Sequence, residues 1–131
     1  MADELRNRTK GFALQNIRLV ESLPASRTAN ILGGQLLRSG TSVGANYRAS
    51  CRARSRAEFI AKLGIVEEEA DESIYWLELF VESGILRQDR AAGLLREAGE
   101  ILAMVVASIK TARKRNSSKW GTLTGSGKGS S

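Results

Sequence analysis

Two groups of cations and one run of carboxylates are this chain's candidate reactive or binding residues. Arg48, Arg52, Arg54 and Arg56 form the first group; Lys110, Arg113, Lys114 and Arg115 form the second. The carboxylates are Glu67, Glu68, Glu69, Asp71 and Glu72. Clustered cations without interleaved aromatic rings suit the phosphate backbone of a nucleic acid, without base readout. A carboxylate run makes a metal or acid–base site only if its members converge. Consecutive residues of a helix point in different directions, so most of this run faces water. Glu69 and Glu72 flank Val66, Ala70 and Ser73. They are expected to be structural, bonded to Asn46 or to an arginine such as Arg38 or Arg48.

Other chemistry is excluded by composition. The chain has no histidine, which removes the usual general base and the commonest metal ligand. It also removes the Glu-x-x-His pairs of a di-iron bundle. Cys51 is the single cysteine, so there is no Cys–His nucleophilic pair, no zinc set and no internal disulfide. No Gly-rich loop has Walker or dinucleotide spacing. No enzyme, metal or cofactor is expected. A lone cysteine and the absence of an apolar leader point to a reducing cytoplasm. No apolar run approaches a membrane span, so no membrane partner is expected.

The elements that must position the cations are helices. Pro24 is the only proline and aromatic residues are 5% of the chain, a balance that favours helix over sheet. A first helix over about 3–22 carries Leu5, Phe12, Asn16, Val20 and Leu23 near one face, widened by Ala13, Ile17 and Leu19. Ser22-Leu23-Pro24 ends it, with Pro24 suited to the first turn of the next helix. A second helix over about 25–53 has the stripe Ile31/Leu32, Gln35/Leu36, Ser39, Val43, Asn46/Tyr47 and Ser50. Ser55-Arg56-Ala57-Glu58 is a capping box. It opens a third helix with the heptad-like series Phe59, Leu63, Val66, Ala70, Ser73, Leu77 and Phe80, stopped by Gly84. A fourth helix over about 88–114 repeats the pattern with Ala91, Leu94/Leu95, Ala98, Ile101/Leu102, Val105, Ile109 and Ala112. Residues 1–115 thus predict one all-α domain, an antiparallel up-down-up-down four-helix bundle. Residues 116–131, rich in Gly and Ser, are expected to be a disordered tail.

Charge is segregated along these helices. Residues 1–57 hold ten Lys/Arg and three Asp/Glu, residues 58–84 one Lys and eight Asp/Glu, and residues 85–131 nine Lys/Arg and three Asp/Glu. The net charge of +6 suits an anionic partner. In an up-down-up-down bundle the second and fourth helices end at the same end, which would gather both cation groups on one face.

Ser39–Ala49 breaks the apolar pattern of the second helix with Gly40, Gly44 and other small residues. Glycine costs about 1 kcal/mol against alanine in a helix, so close packing must favour it here. A tight helix crossing is expected, with Asn46 as its one buried polar contact. Tyr47, Tyr75, Trp76 and Leu79 lie beside the core stripes and leave apolar area for an oligomer interface.

Several blocks together resemble a known family. These are Ser42-Val43-Gly44-Ala45-Asn46-Tyr47-Arg48-Ala49, Glu58-Phe59-Ile60-Ala61-Lys62-Leu63-Gly64-Ile65, Glu68-Glu69-Ala70-Asp71-Glu72 and Tyr75-Trp76-Leu77-Glu78-Leu79. Over about residues 5–115 the chain resembles the bacterial 23S rRNA intervening-sequence proteins, although Ala49 stands where that family has a Glu. The resemblance implies a four-helix bundle assembling as a ring-like homopentamer. The family name records where some of the genes lie and is not an activity. A related branch, matched less well, is the basic pentameric accessory protein of diversity-generating retroelements, which works with a reverse transcriptase and RNA. The expected function is non-enzymatic binding of nucleic acid, RNA favoured, through the basic face. The alternative is a scaffold that recruits a protein such as a reverse transcriptase.

Overall fold

A computed structural model describes residues 2–115; the expected tail lies outside the described residues. The helices are α1 (Ala2–Glu21), α2 (Arg27–Cys51), α3 (Arg56–Glu82) and α4 (Gln88–Lys114). Helix α2 packs on α1 and α3, and α4 packs on α3 and α1. The core lies between them.

Local chemistry sets the boundaries. Ser26, rather than a residue before Pro24, caps α2: its side chain accepts the Ala29 N–H at 3.1 Å. Pro24 lies in the connection, while the Ser22 hydroxyl donates to the Leu19 carbonyl at 2.7 Å and closes α1. Ser55 caps α3 as expected, accepting the Glu58 N–H at 3.0 Å. The Glu58 carboxylate returns to the N–H of Arg54 at 3.0 Å, one residue earlier than the expected cap position. Gly84, with φ of +84°, ends the turn after α3 in the left-handed region where a Cβ is strained.

Most of the α3 and α4 stripes pack as their spacing predicts, while Leu95 and Leu102 are half-buried at the edge of the α4 stripe. Leu63, Val66, Ala70, Ser73, Leu77 and Phe80 are buried, as are Ala91, Leu94, Ala98, Ile101, Val105, Ile109 and Ala112. Phe59 is only half-buried. Helix α2 differs from expectation. Its buried face includes Gly33, Gly40 and Gly44, whereas Ile31 is 55% exposed. On α1, Asn16 is buried as expected, whereas Thr9 is also buried and Ile17 is exposed. The glycines explain both differences. A Cβ on Gly33 would lie 3.2 Å from Val20 Cγ1, one on Gly40 2.8 Å from Asn16 Nδ2, and one on Gly44 3.3 Å from the Thr9 carbonyl oxygen. Helix α2 therefore turns its glycines toward α1, which swings Ile31 outward.

Other glycines play no such part. A methyl on Gly99 of α4 would meet nothing within 4 Å. Gly99→Ala is expected to raise stability by about 0.5–1 kcal/mol through lower unfolded-state entropy, measured by urea denaturation.

Candidate nucleic-acid interface

Each cation of the two groups is placed by a helix end. Arg48 lies in the last turn of α2, and Arg52 and Arg54 in the connection to α3. Arg56 opens α3, and Lys110, Arg113 and Lys114 close α4, with Arg115 just beyond. Cations in a last helical turn also complement the partial negative charge of its free carbonyls. One bond joins the groups: Arg56 Nη1 donates to the Arg115 carbonyl at 2.5 Å. The start of α3 is thereby tied to the end of α4, and both groups share one end of the molecule. Arg56 is half-buried and the other seven are exposed. Among the described residues none of the eight forms a salt bridge, so this charge faces solvent.

Two further cations, missed in the sequence, extend this end. An open groove of about 670 Å³ between α1 and α2 is lined by Arg6 and Lys10 on one wall and Arg48 and Arg52 on the other. Thr9, Ala13, Thr41, Gly44 and Ala45 also line it, and no carboxylate does. The available signal was the four-residue spacing of Arg6 and Lys10, which puts them on one face of α1. Arg6 Nη1 lies 3.4 Å from Asp3 at the surface, too exposed a pair to cancel its field.

The polar residues expected to be structural fall into two cases. Glu69 and Glu72 both bond Arg38: Nη1 donates to Glu69 Oε1 at 3.1 Å and Nη2 to Glu72. The Trp76 indole N–H adds a bond to Glu72 Oε2 at 3.1 Å. The Arg38 bond, with help from Trp76, holds the Glu72 carboxyl below its ordinary pKa. Asn46 departs from expectation. It is half-buried, and its Nδ2 bonds only the carbonyl and hydroxyl of Ser42, at 2.9 and 2.8 Å in its own helix. The buried amide at the small-residue crossing is Asn16, on the opposite helix. Asn46→Leu is accordingly expected to cost less than about 1.5 kcal/mol, the net worth of an ordinary hydrogen bond, in a thermal melt.

The expected interface residues also divide. Tyr47 is 5% exposed and belongs to the core, which leaves it little area for a second copy. Its phenol is pushed up in pKa by burial, then by neighbouring Cys51, and stays protonated. Tyr75 is 53% exposed and stacks edge-on with Trp76 at 5.1 Å between ring centroids. Trp76 and Leu79 are half-buried.

Away from this end, Arg8 clamps α1 to α4. Its Nε and Nη2 hold Glu97 at 2.9 and 2.8 Å, and Nη2 also reaches Glu100. The Arg8 bond keeps the Glu97 carboxyl below its ordinary pKa, against desolvation. A depressed carboxylate contributes stability that is present above its unfolded pKa, about 4.3, and lost as pH falls through the lower folded value. Arg8→Met is expected to cost about 1–3 kcal/mol at pH 7, since it removes charge-assisted bonds. The gap from wild type should narrow below about pH 4 in urea melts, as Glu97 protonates.

Four helices, with two groups of cations at one end that form no salt bridge among the described residues, define an all-α bundle protein. The chain belongs to the 23S rRNA-intervening sequence protein family, whose sequence model matches residues 4–107. It is similar to a crystal structure described as a protein of unknown function from the S23 ribosomal protein family of Bacteroides thetaiotaomicron. That protein is 34% identical, covering 81% of this chain and 98% of the other, with a TM-score of 0.77. No curated protein matches the chain. Among the described residues no helix is long and apolar enough to cross a membrane.

Proposed function

We propose that this chain is a non-enzymatic, cytoplasmic, oligomeric bundle protein that binds nucleic acid, RNA favoured, through its basic end. The observation behind this reading is the Arg56–Arg115 bond, which sets two groups of unpaired cations side by side. Phosphate oxygens are the partners such a surface fits, and the absence of aromatic side chains between the cations argues against base stacking. An antiparallel up-down-up-down course is supported by the order in which Val20, Asn16 and Thr9 meet Gly33, Gly40 and Gly44. A homo-oligomer is supported by the apolar area left at Tyr75, Trp76 and Leu79. The family resemblance supplies the number five. In a closed ring each basic end would recur in every subunit.

Fluorescence anisotropy with labelled single-stranded RNA, double-stranded RNA and duplex DNA tests the binding. Sequence-independent binding is expected at about 50 mM salt. Light scattering tests the ring, and a stable monomer at micromolar concentration would refute it. A second reading, an adaptor recruiting a protein such as a reverse transcriptase, draws on exposed Ile31 and Tyr75. It gains if a single protein co-purifies at high salt while no nucleic acid binds.

A further inference from the structure

We infer that the α1–α2 groove is a track for a single, extended nucleic-acid strand, with Arg6, Lys10, Arg48 and Arg52 holding successive phosphates. The inference rests on the nucleic-acid reading and narrows it to a strand type and to two residues outside the helix-end groups. The geometry carries it. Arg6 and Lys10 line one wall, Arg48 and Arg52 the other. Arg6 and Lys10 are four residues apart in α1, a rise of about 6 Å, and Arg48 and Arg52 bracket the end of α2 with the same sequence spacing. This step is comparable with that between phosphates of an extended strand.

The groove is the crease between two packed helices, closed below where Gly44 meets the Thr9 backbone. A single strand can follow such a crease, whereas a duplex would rest on its rim. Small residues make this possible. Gly44 and Ala45 line the groove, and Gly44 sits against the Thr9 backbone, so no bulky side chain fills the space. The lining also tells against a helix of another protein or of a second copy. Ala13, Ala45 and Cys51 are its apolar side chains, all small, and a docking helix needs pockets for apolar anchors. Thr9 and Thr41 direct their hydroxyl protons to the Arg6 and Leu37 carbonyls, which leaves the four cations and the exposed Asn7 amide as the groove's side-chain donors. Four charges against one neutral amide suit phosphate rather than base edges.

The test uses the full-length protein and the double variant Arg6→Gln/Lys10→Gln. Both residues are exposed, and circular dichroism checks that the bundle is intact. Affinity for a labelled oligo-uridine and for a duplex RNA of equal length is measured by anisotropy at several salt concentrations. The expected result is tighter binding of the single strand by wild type. The double variant should lower the slope of log K against log salt by about 1.4 for the single strand, two contacts at about 0.7 each, and change duplex binding little. Wild-type slopes in the variant, together with weaker binding when Arg113, Lys114 and Arg115 are neutralised, would overturn the groove and leave the basic end standing. No binding by wild type at about 50 mM salt would overturn both. A variant that falls apart into monomers in light scattering while each chain still binds RNA normally would make the groove a contact between copies, and would also overturn the inference.

Discussion

Gly40→Val is expected to destabilise the protein by about 3 kcal/mol, at the upper end of the usual cost of overpacking a core. The added Cβ alone would lie 2.8 Å from Asn16 Nδ2 and 2.9 Å from its Cγ. Asn16 cannot easily swing aside. It is fully buried, and its Nδ2 donates to the Phe12 carbonyl at 2.8 Å. The two branches of valine deepen the clash, and valine's better helix propensity returns only a few tenths of a kcal/mol. Gly40→Ala should cost less, because the smaller clash is offset by about 1 kcal/mol of propensity. A second substitution isolates the cause. Asn16 Oδ1 is buried with no hydrogen-bond partner among the described residues, so trimming Asn16 to alanine removes the two closest contacts and an unmet acceptor, and leaves its Cβ at 3.2 Å from the added atom. Asn16→Ala should therefore rescue Gly40→Val, with a coupling above about 1 kcal/mol in urea denaturation. Additive losses would place the strain elsewhere.

Neutralising both cation groups is expected to have the larger effect on function. Replacing Arg52, Arg54 and Arg56 together with Arg113, Lys114 and Arg115 by glutamine removes six charges at one end. If each contacts one phosphate of a single strand, the salt slope should fall by about 4. At 0.1 M salt each unit of slope is worth a decade relative to 1 M, so affinity should fall about 10⁴-fold. Arg56 also holds the Arg115 carbonyl, so part of any stability loss belongs to that bond. Testing the two triples separately divides the effect. Affinity that survives loss of both would mean that another face binds.

Much of the fold was legible because α3 and α4 display it. Apart from Ser73, their buried positions are apolar at steps of three and four, and one face of each is core from Leu63 to Phe80 in α3 and from Ala91 to Ala112 in α4. Helix α2 was harder to read. The residues that meet α1 are glycines, and glycine gives no hydrophobic signal even when it is the point of closest approach. The small-residue stretch did announce a tight crossing, but its amide is supplied by Asn16 of α1 and not by Asn46. Which residue of a neighbouring helix arrives at a glycine depends on helix rotation and stagger, and local pattern does not contain these. The cation groups at the ends of α2 and α4 were legible because short connections force helix ends together. Arg6 and Lys10 were not, since a groove between two helices exists only once both are rotated into place. Pro24 misled for a related reason: Ser26 beyond it offered the better cap.

The central claim is that the end formed by residues 48–56 and 110–115 binds nucleic acid through its phosphates. The most direct test is the affinity of wild type and of the six-fold neutralised variant for one single-stranded RNA, measured from about 50 mM to 1 M salt. Two straight lines of log K against log salt are expected, the wild-type line steeper, converging near 1 M where the counterion contribution vanishes. Parallel lines, or no binding by wild type at the lowest salt, would contradict it.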